Sequence, residues 1–145
     1  MDTSPKKEKR NKNITDIKTF PVPLTIGEIK KNISISTKAE HPPSREQIIN
    51  KAINFHLEDN LSEAKKLYEY CINQGFNDHR VYSNYGVILK GLGKLQEAEL
   101  SLRKAIQINP DGAEAYYNLG NTLNDLGNLQ QAKLYLHKTI ELKPN

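Results

Sequence analysis

The side chains best suited to metal binding or nucleophilic catalysis are scattered through this sequence. They are four histidines and one cysteine: His41, His56, His79, His137 and Cys71. A metal site needs several such ligands at short, regular spacings, and none of the histidines has a suitable neighbour. One cysteine can form neither an internal disulfide nor a metal cluster. The sequence therefore predicts no metal centre and no cofactor.

Two other patterns resemble reactive sites only in part. Gly91-Leu92-Gly93-Lys94 contains the glycines and lysine of a phosphate-binding loop, but it lacks the loop length and the following Ser or Thr. Glu97 and Glu99 are too close on a predicted helix to face each other as a catalytic pair. We expect a protein that is not an enzyme and has no small-molecule substrate.

The composition limits the classes of protein that remain. The chain has 145 residues, of which 37% are hydrophobic, and it has no Trp, so a single large core is not expected. Its longest aliphatic run, Val87-Ile88-Leu89, is far shorter than the roughly 20 residues of a membrane span. The N-terminus lacks the apolar stretch of a secretory signal. These features predict a cytoplasmic protein without a membrane segment.

The net charge of +4 lies entirely in the first part of the chain. Residues 1–44 contain nine Lys and Arg against five Asp and Glu, whereas residues 45–145 contain twelve of each. A nucleic-acid-binding body would need a basic face, so this reading is disfavoured for residues 45–145. A basic leader that binds nucleic acid or an anionic surface stays open as a weaker alternative.

The chain repeats itself with a period of 34 residues. Between residues 79–111 and 113–145, fourteen of 33 aligned positions are identical without a gap. The repeated residues of the first copy are Tyr82, Asn84, Gly86, Leu89, Leu92, Gly93, Leu95, Gln96, Ala98, Leu100, Leu102, Lys104, Ile106 and Pro110. Five matches extend the repeat backwards, so the sequence predicts three units: 45–78, 79–112 and 113–145.

Each unit is predicted to contain two helices. In the second unit, apolar residues recur every three or four positions before Gly93, and a second stripe ends at Pro110. Capping patterns begin at Ser44, Asn60, Asp111 and Asn128. Small residues on both helices predict a close crossing of the pair: Gly86 against Ala98, Gly120 against Ala132, and Ala52 against Ala64.

A 34-residue helix–turn–helix unit with this pattern resembles the tetratricopeptide repeat. The resemblance covers residues 45–145 and implies an all-α, right-handed solenoid with a concave groove. Unit one departs from the pattern, because Lys51 replaces an apolar residue, Phe76 replaces a proline, and Asp59-Asn60 replaces the turn glycine. Residues 1–18 are expected to be a disordered basic leader. Residues 19–44 contain apolar residues and prolines, and they either cap the first unit or bind a partner.

The resemblance also implies a binding surface, since the first helix of each unit lines the groove in this family. Asn50, Asn84 and Asn118 hold the same place in the three units. An amide both donates and accepts hydrogen bonds, which suits a peptide backbone. The series is similar to the asparagine ladder of O-linked N-acetylglucosamine transferases. Asparagine is, however, also common at this position of the family without a role in binding. The predicted groove residues are Asn50, Asn84, Asn118, Ile49, Ile53, Ser83, Val87, Tyr117, Asn121 and Asn124.

The same comparison argues against one family function. Tetratricopeptide proteins that dock chaperone C-termini use a carboxylate clamp of Lys, Asn and Arg on their first helices. The matching places hold Ile49 and Ile53 in unit one and Glu114 and Asn118 in unit three. Only Asn84 fits, so a clamp is not expected.

The favoured hypothesis is a protein-interaction module that holds an extended segment of a partner in its groove. The alternative is the targeting or substrate-binding part of a larger glycosyl-, sulfo- or methyltransferase. The leader and first unit also resemble the start of longer bacterial repeat proteins. Finally, no polar helix follows unit three, so the face carrying Leu134, Leu136, Ile140 and Leu142 is expected to be bare and to favour self-association.

Overall fold

The computed structural model describes residues 41–143, and these residues form six α-helices and no strand. The helices are α1 (Arg45–Leu57), α2 (Leu61–Asn73), α3 (His79–Gly91), α4 (Leu95–Ile108), α5 (Ala113–Asp125) and α6 (Leu129–Leu142). First helices begin 34 residues apart, and so do second helices. The prediction of an all-α helical repeat is confirmed. The expectations for residues 1–40 and for Pro144 and Asn145 lie outside the described residues.

The turn inside each unit has one conformation in all three copies. Asp59, Gly93 and Gly127 occupy the same place and have positive φ angles of 58°, 74° and 79°. In the second unit the Lys94 amide donates to the Leu89 carbonyl over 2.9 Å, and the Gly93 amide donates to the Lys90 carbonyl over 2.9 Å. This hydrogen-bond pattern is the Schellman motif that ends helices. The turn therefore survives in unit one although aspartate replaces glycine there.

The helix starts agree with the capping prediction only in part. Ser44 forms a complete capping box with Gln47, and the Asn60 side chain accepts weakly from the Glu63 amide over 3.5 Å. The Asn128 side chain makes no capping hydrogen bond. The prediction for Asp111 is wrong, because Gly112 is the N-cap of α5 and the Asp111 carbonyl accepts from the Ala113 amide.

The small residues permit the close helix crossing that the sequence predicts. A Cβ atom added at Gly86 would lie 2.7 Å from the Leu102 Cγ and 3.3 Å from the Ala98 carbonyl oxygen. Gly120 has the same relation to Leu136 and Ala132, with the same two distances. A side chain at either glycine would push the two helices of the unit apart.

Each unit packs only on its neighbours in the chain, as expected for a solenoid. One buried cluster joins units one and two through residues such as Tyr68, Cys71, Val81 and Ile88. A smaller cluster joins units two and three through Leu102, Leu119, Leu123 and Ala132. The expectation that Cys71 is a buried packing residue is confirmed, and burial raises the pKa of its thiol to about 12.

The departures of unit one have structural reasons. Helix α2 ends one residue earlier than α4 and α6, and Gly75 with φ +70° follows it. This turn directs Phe76 into the core, where its ring packs edge-on against Tyr70 and under the Arg45 guanidinium. Phe76 therefore fills space at the end of the unit, where proline ends the helix in the other units.

Candidate functional site

The first helices lie on the inner side of the curved stack. The backbone of α3 approaches both α1 and α5, whereas within residues 41–143 the second helices α2, α4 and α6 do not approach one another in this way. Because neighbouring units are closer along one edge, the stack curves around that edge. We call the surface formed by α1, α3 and α5 the inner face.

The three predicted asparagines occupy one position on this face. Asn50, Asn84 and Asn118 are each the sixth residue of their helix. Asn50 is exposed, and Asn84 and Asn118 are half-buried. The sequence period and the helix bounds thus bring the three amides to equivalent places in successive units.

The rest of the predicted groove is only partly accessible. Tyr117 and Asn124 are exposed, and Ile53, Val87 and Asn121 are partly exposed. Ile49 and Ser83 are buried, so the structure differs here from the expectation of an accessible wall. Ile49 belongs to the core between units one and two.

A pocket of about 220 Å³ opens beside Asn84, between α3 and the start of α5. Arg80 and Ser83 line it from α3, and Asp111, Glu114 and other residues near Gly112 line it from the next unit. The buried hydroxyls of Ser83 and nearby Tyr68 have no well-formed hydrogen bond within the described residues. The Tyr68 hydroxyl lies next to the Asn84 amide, and burial raises its pKa despite this polar neighbour. The Tyr68 hydroxyl is thus a neighbour with which the Asn84 amide can hydrogen-bond inside the protein.

Two cations of the inner face, Arg80 and Lys90, are paired with carboxylates. Arg80 donates two hydrogen bonds to Glu46 of α1, of 2.9 and 2.8 Å, and further bonds to Asp78, which is the N-cap of α3. These hydrogen bonds hold the pKa of both carboxyl groups below its ordinary value. Lys90 of α3 pairs with Asp125 of α5 at 3.2 Å. Ion pairs therefore link each unit to the next along this face.

Within the described residues, Glu114 adds an unpaired carboxylate to the inner face. It is exposed in the second place of α5, equivalent to Glu46 and Arg80, and forms no ion pair within residues 41–143. Burial lowers the pKa of the nearby His56, against the opposing effect of Glu114 and Asp59, which favours the neutral imidazole. The face thus offers amides and a carboxylate to a ligand. Arg80 and Lys90 are occupied by carboxylates, whereas Arg45 and Lys51 of α1 form no ion pair within the described residues.

The ion pair between Glu46 of α1 and Arg80 of α3 was not predicted, although the sequence contains a charge pattern that indicates it. Glu46, Arg80 and Glu114 stand one period apart, so their charges alternate along one row of the repeat. Opposite charges at equivalent places of adjacent units indicate contacts between the units. Reading the charge at each repeat position, as well as the apolar pattern, would have found the pair.

The described residues contain no cluster of His, Cys, Asp and Glu that could hold a metal ion. Helices long and apolar enough to cross a membrane are likewise missing from residues 41–143.

Family models match the second part of the chain. One, described as a TPR repeat, matches residues 86–127, and another, described as a tetratricopeptide repeat, matches residues 113–145. No curated protein matches the sequence.

Solved structures share the fold at low sequence identity. The second TPR of Spaghetti (RPAP3) bound to the HSP90 peptide SRMEEVD is 21% identical with a TM-score of 0.62, over 66% of this chain and 89% of that chain. MamA is 23% identical with a TM-score of 0.68, over 82% of this chain and 67% of that one. A mutant O-GlcNAc transferase from Thermobaculum terrenum is 20% identical with a TM-score of 0.66. The similarity to the transferase covers 71% of this chain but only 21% of that chain.

These findings agree with the architecture built from the residues, six helices in three units with glycine turns and a small-residue crossing. The part of the chain that the structure describes is a tetratricopeptide-like helical repeat, and residues 86–145 match models of the tetratricopeptide repeat.

Proposed function

We propose that this protein is a non-enzymatic, cytoplasmic interaction module that holds an extended segment of another protein on its inner face. The observation that carries this proposal is the equivalent placement of Asn50, Asn84 and Asn118 on α1, α3 and α5. Amides one repeat apart can bond to a peptide backbone and so hold an extended chain with little demand on its side chains. The Spaghetti domain of the same fold is bound to a peptide, which supports this mode of binding.

The charges on the inner face indicate which kind of peptide should bind there. Arg80 and Lys90 already bond to carboxylates, and Glu114 adds an unpaired negative charge within the described residues. An acidic peptide would have to displace these partners and approach Glu114. We therefore expect the part of the face around Arg80, Lys90 and Glu114 to favour neutral or basic segments, and the peptide SRMEEVD to bind poorly there.

A lysate pull-down with the full chain tests the proposal. The variant Asn50→Ala/Asn84→Ala/Asn118→Ala should keep the thermal stability of the wild type and lose partners identified by mass spectrometry. A matched control replaces three asparagines that are exposed and lie outside α1, α3 and α5: Asn73, Asn77 and Asn128. The control should retain the same partners. Equal capture by all three proteins would contradict a role for the inner-face amides.

A second candidate is that the chain is the targeting or substrate-binding part of a larger transferase. The structural similarity to an O-GlcNAc transferase favours it, although the chain spans only 21% of that enzyme. An antibody raised against residues 41–143 tests it by immunoblotting of the source cells. A product far above 16.5 kDa would support this candidate, and a single product near 16.5 kDa would contradict it.

A further inference from the structure

The side of unit three that faces away from unit two is apolar, and no described residue covers it. This terminal face is defined by Leu129, Leu136 and Ile140 of α6, with Lys133 and His137 beside them. In unit two, the residue equivalent to Leu136 is Leu102, which is fully buried under α5. Leu129 and Ile140 are each 62% exposed, whereas their unit-two equivalents are part-buried.

The exposure of Leu134 has a different cause, which corrects one expectation from the sequence. Leu134 is 70% exposed, but its equivalent Leu100 is also 70% exposed although unit three follows it. The presence or absence of a neighbouring unit therefore does not change exposure at this place. Leu134 lies outside the terminal face and provides a matched control for it.

The molecule itself shows what covers this face in the other units. Helix α3 covers unit one with Val81, Tyr85 and Ile88, and α5 covers unit two with the equivalent residues Ala115, Leu119 and Thr122. In both helices the covering stripe has the spacing i, i+4, i+7, which places the three side chains on one side. The cover in these two units is therefore a helix that places mostly apolar, buried or partly buried side chains at this spacing.

A second copy of this chain is a poor cover. In α1 the equivalent stripe is Gln47, Lys51 and Asn54, so stacking copies head to tail would bury polar groups against Leu129 and Ile140. A two-fold pairing would instead bring Lys133 and His137 of one copy near the same bases of the other.

The charges beside the face indicate a partner that brings carboxylates. In unit one the places equivalent to Lys133 and His137 hold the ion pair Lys65–Glu69, at 3.0 Å. In unit two they hold Glu99–Arg103, at 2.8 Å. In unit three both are bases; His137 has Glu141 at 3.6 Å on its own helix, and Lys133 has no ion pair within the described residues.

We propose that the terminal face docks an amphipathic helix of a partner protein. The helix presents apolar residues at i, i+4 and i+7, flanked by carboxylates that meet Lys133 and His137. This site is separate from the inner face, so it can be occupied whether or not the inner face binds a peptide.

A synthetic peptide with the sequence of residues 113–126 is a suitable probe, because the same helix covers the equivalent face of unit two. It carries the apolar stripe. In the structure its Asp125 meets Lys90 and not the residues equivalent to Lys133 and His137, so this peptide tests the apolar part of the contact. Titration of the isotope-labelled full chain should shift amide NMR signals of α6. A control peptide with Ala115→Gln, Leu119→Lys and Thr122→Asn carries the polar stripe of α1 and should not bind.

Protein variants locate the site. Ile140→Glu should weaken peptide binding at least about tenfold, because docking would bury a carboxylate against an apolar stripe. Leu134→Glu, at an equally exposed leucine, should leave binding unchanged, and circular dichroism should show both variants folded.

Four results would overturn the proposal. Equal binding of both peptides, or equal effects of both variants, would show that the contact is not specific to this face. A dimer of the wild type in light scattering that is lost in Ile140→Glu would show that a second copy is the occupant. In the unliganded full chain, movement of the signals of residues 20–35 on Ile140→Glu would show that this segment covers the face.

Discussion

At the residue scale, the turn position filled by Asp59, Gly93 and Gly127 shows how one conformation tolerates two residue types. The left-handed region is open to glycine without strain, and aspartate is among the few other residues that enter it. Asp59 has a φ of 58° and holds the same turn hydrogen bonds as the glycines. Unit one therefore keeps its turn with some backbone strain.

Removal of this strain should stabilise the protein. We expect Asp59→Gly to raise the free energy of unfolding by about 0.5–1 kcal/mol. Relief of the backbone strain stabilises the folded state, and the greater flexibility of glycine in the unfolded chain cancels part of this gain. The reverse change, Gly93→Asp, should lower it by a similar amount, since no atom lies within 4 Å of a Cβ added there. Urea denaturation of the two variants measures both effects. A stability loss in Asp59→Gly would show that the aspartate side chain contributes more than its backbone costs.

Asp78 combines two stabilising roles, and both require its ionised form. Its carboxylate caps α3 by accepting from the Arg80 amide over 2.9 Å and also accepts from the Arg80 guanidinium. The folded-state pKa of Asp78 is lowered from 3.8, chiefly by the Arg80 side chain. A lowered pKa means that the contribution is fully present above pH 3.8 and is lost as the pH falls through the folded value.

We predict that Asp78→Ala destabilises the protein by about 1–2 kcal/mol at pH 7, as expected for loss of a helix cap and an ion pair. The difference from wild type should shrink as the pH falls below 4, because protonation removes the same interactions from the wild type. Thermal melts between pH 2 and pH 7 measure this convergence. A difference that stays constant over this range would show that ionisation of Asp78 does not contribute.

At the element scale, the two helices of each unit are held together by small residues that leave no spare volume. Ala98 is fully buried, and its carbonyl oxygen lies 3.3 Å from the place of a Cβ at Gly86. The crossing therefore depends on residue size at two positions of each unit, a pattern that also identified the pairs in the sequence.

We predict that Ala98→Arg abolishes cooperative thermal unfolding, because a buried cation without a partner cannot be accommodated at this crossing. Leu100→Arg, two positions along the same helix at an exposed leucine, should melt like the wild type. Circular dichroism against temperature distinguishes the two. Unchanged helicity and melting in Ala98→Arg would refute the predicted pairing of α3 with α4.

At this scale, the sequence predicts features that depend on one helix or one pair of helices, and it does not directly predict contacts between units. The period and the small residues are local patterns, and they predicted the helices, their pairing and the turn at Gly93. Ile49, Ser83 and Tyr117 hold equivalent places in the three units. Ile49 and Ser83 are buried by neighbours from the adjacent unit, whereas Tyr117 is exposed. The ion pair of Glu46 with Arg80 likewise joins two units and is visible only when the units are aligned.

At the scale of the whole molecule, the two ends of the stack differ in chemistry. The covering stripe is apolar in α3 and α5, where it meets a preceding unit, and polar in α1, where no described unit precedes it. Lys51, which departs from the family pattern, therefore lies at the end of the stack and extends over the Phe55 ring. The opposite end, the terminal face, stays apolar.

Neighbouring units bury much of the surface of each unit. Equivalent residues should therefore contribute unequally to the free energy of unfolding, according to their place in the stack. Leu102 and Leu136 make the same contact within their units, each with Cγ 2.7 Å from the place of a Cβ on the paired glycine. Only Leu102 is also covered by a following helix. The comparison of these two leucines therefore isolates the contribution of the next unit.

We predict that Leu102→Ala lowers the free energy of unfolding by about 3–4 kcal/mol, as for a fully buried leucine, and that Leu136→Ala lowers it by about half as much. Denaturation by urea measures the two values. Equal losses would mean that packing within a unit dominates and that coverage by the next unit adds little. A helix docked on the terminal face should bring the two values together, because it would give Leu136 the cover that α5 gives Leu102.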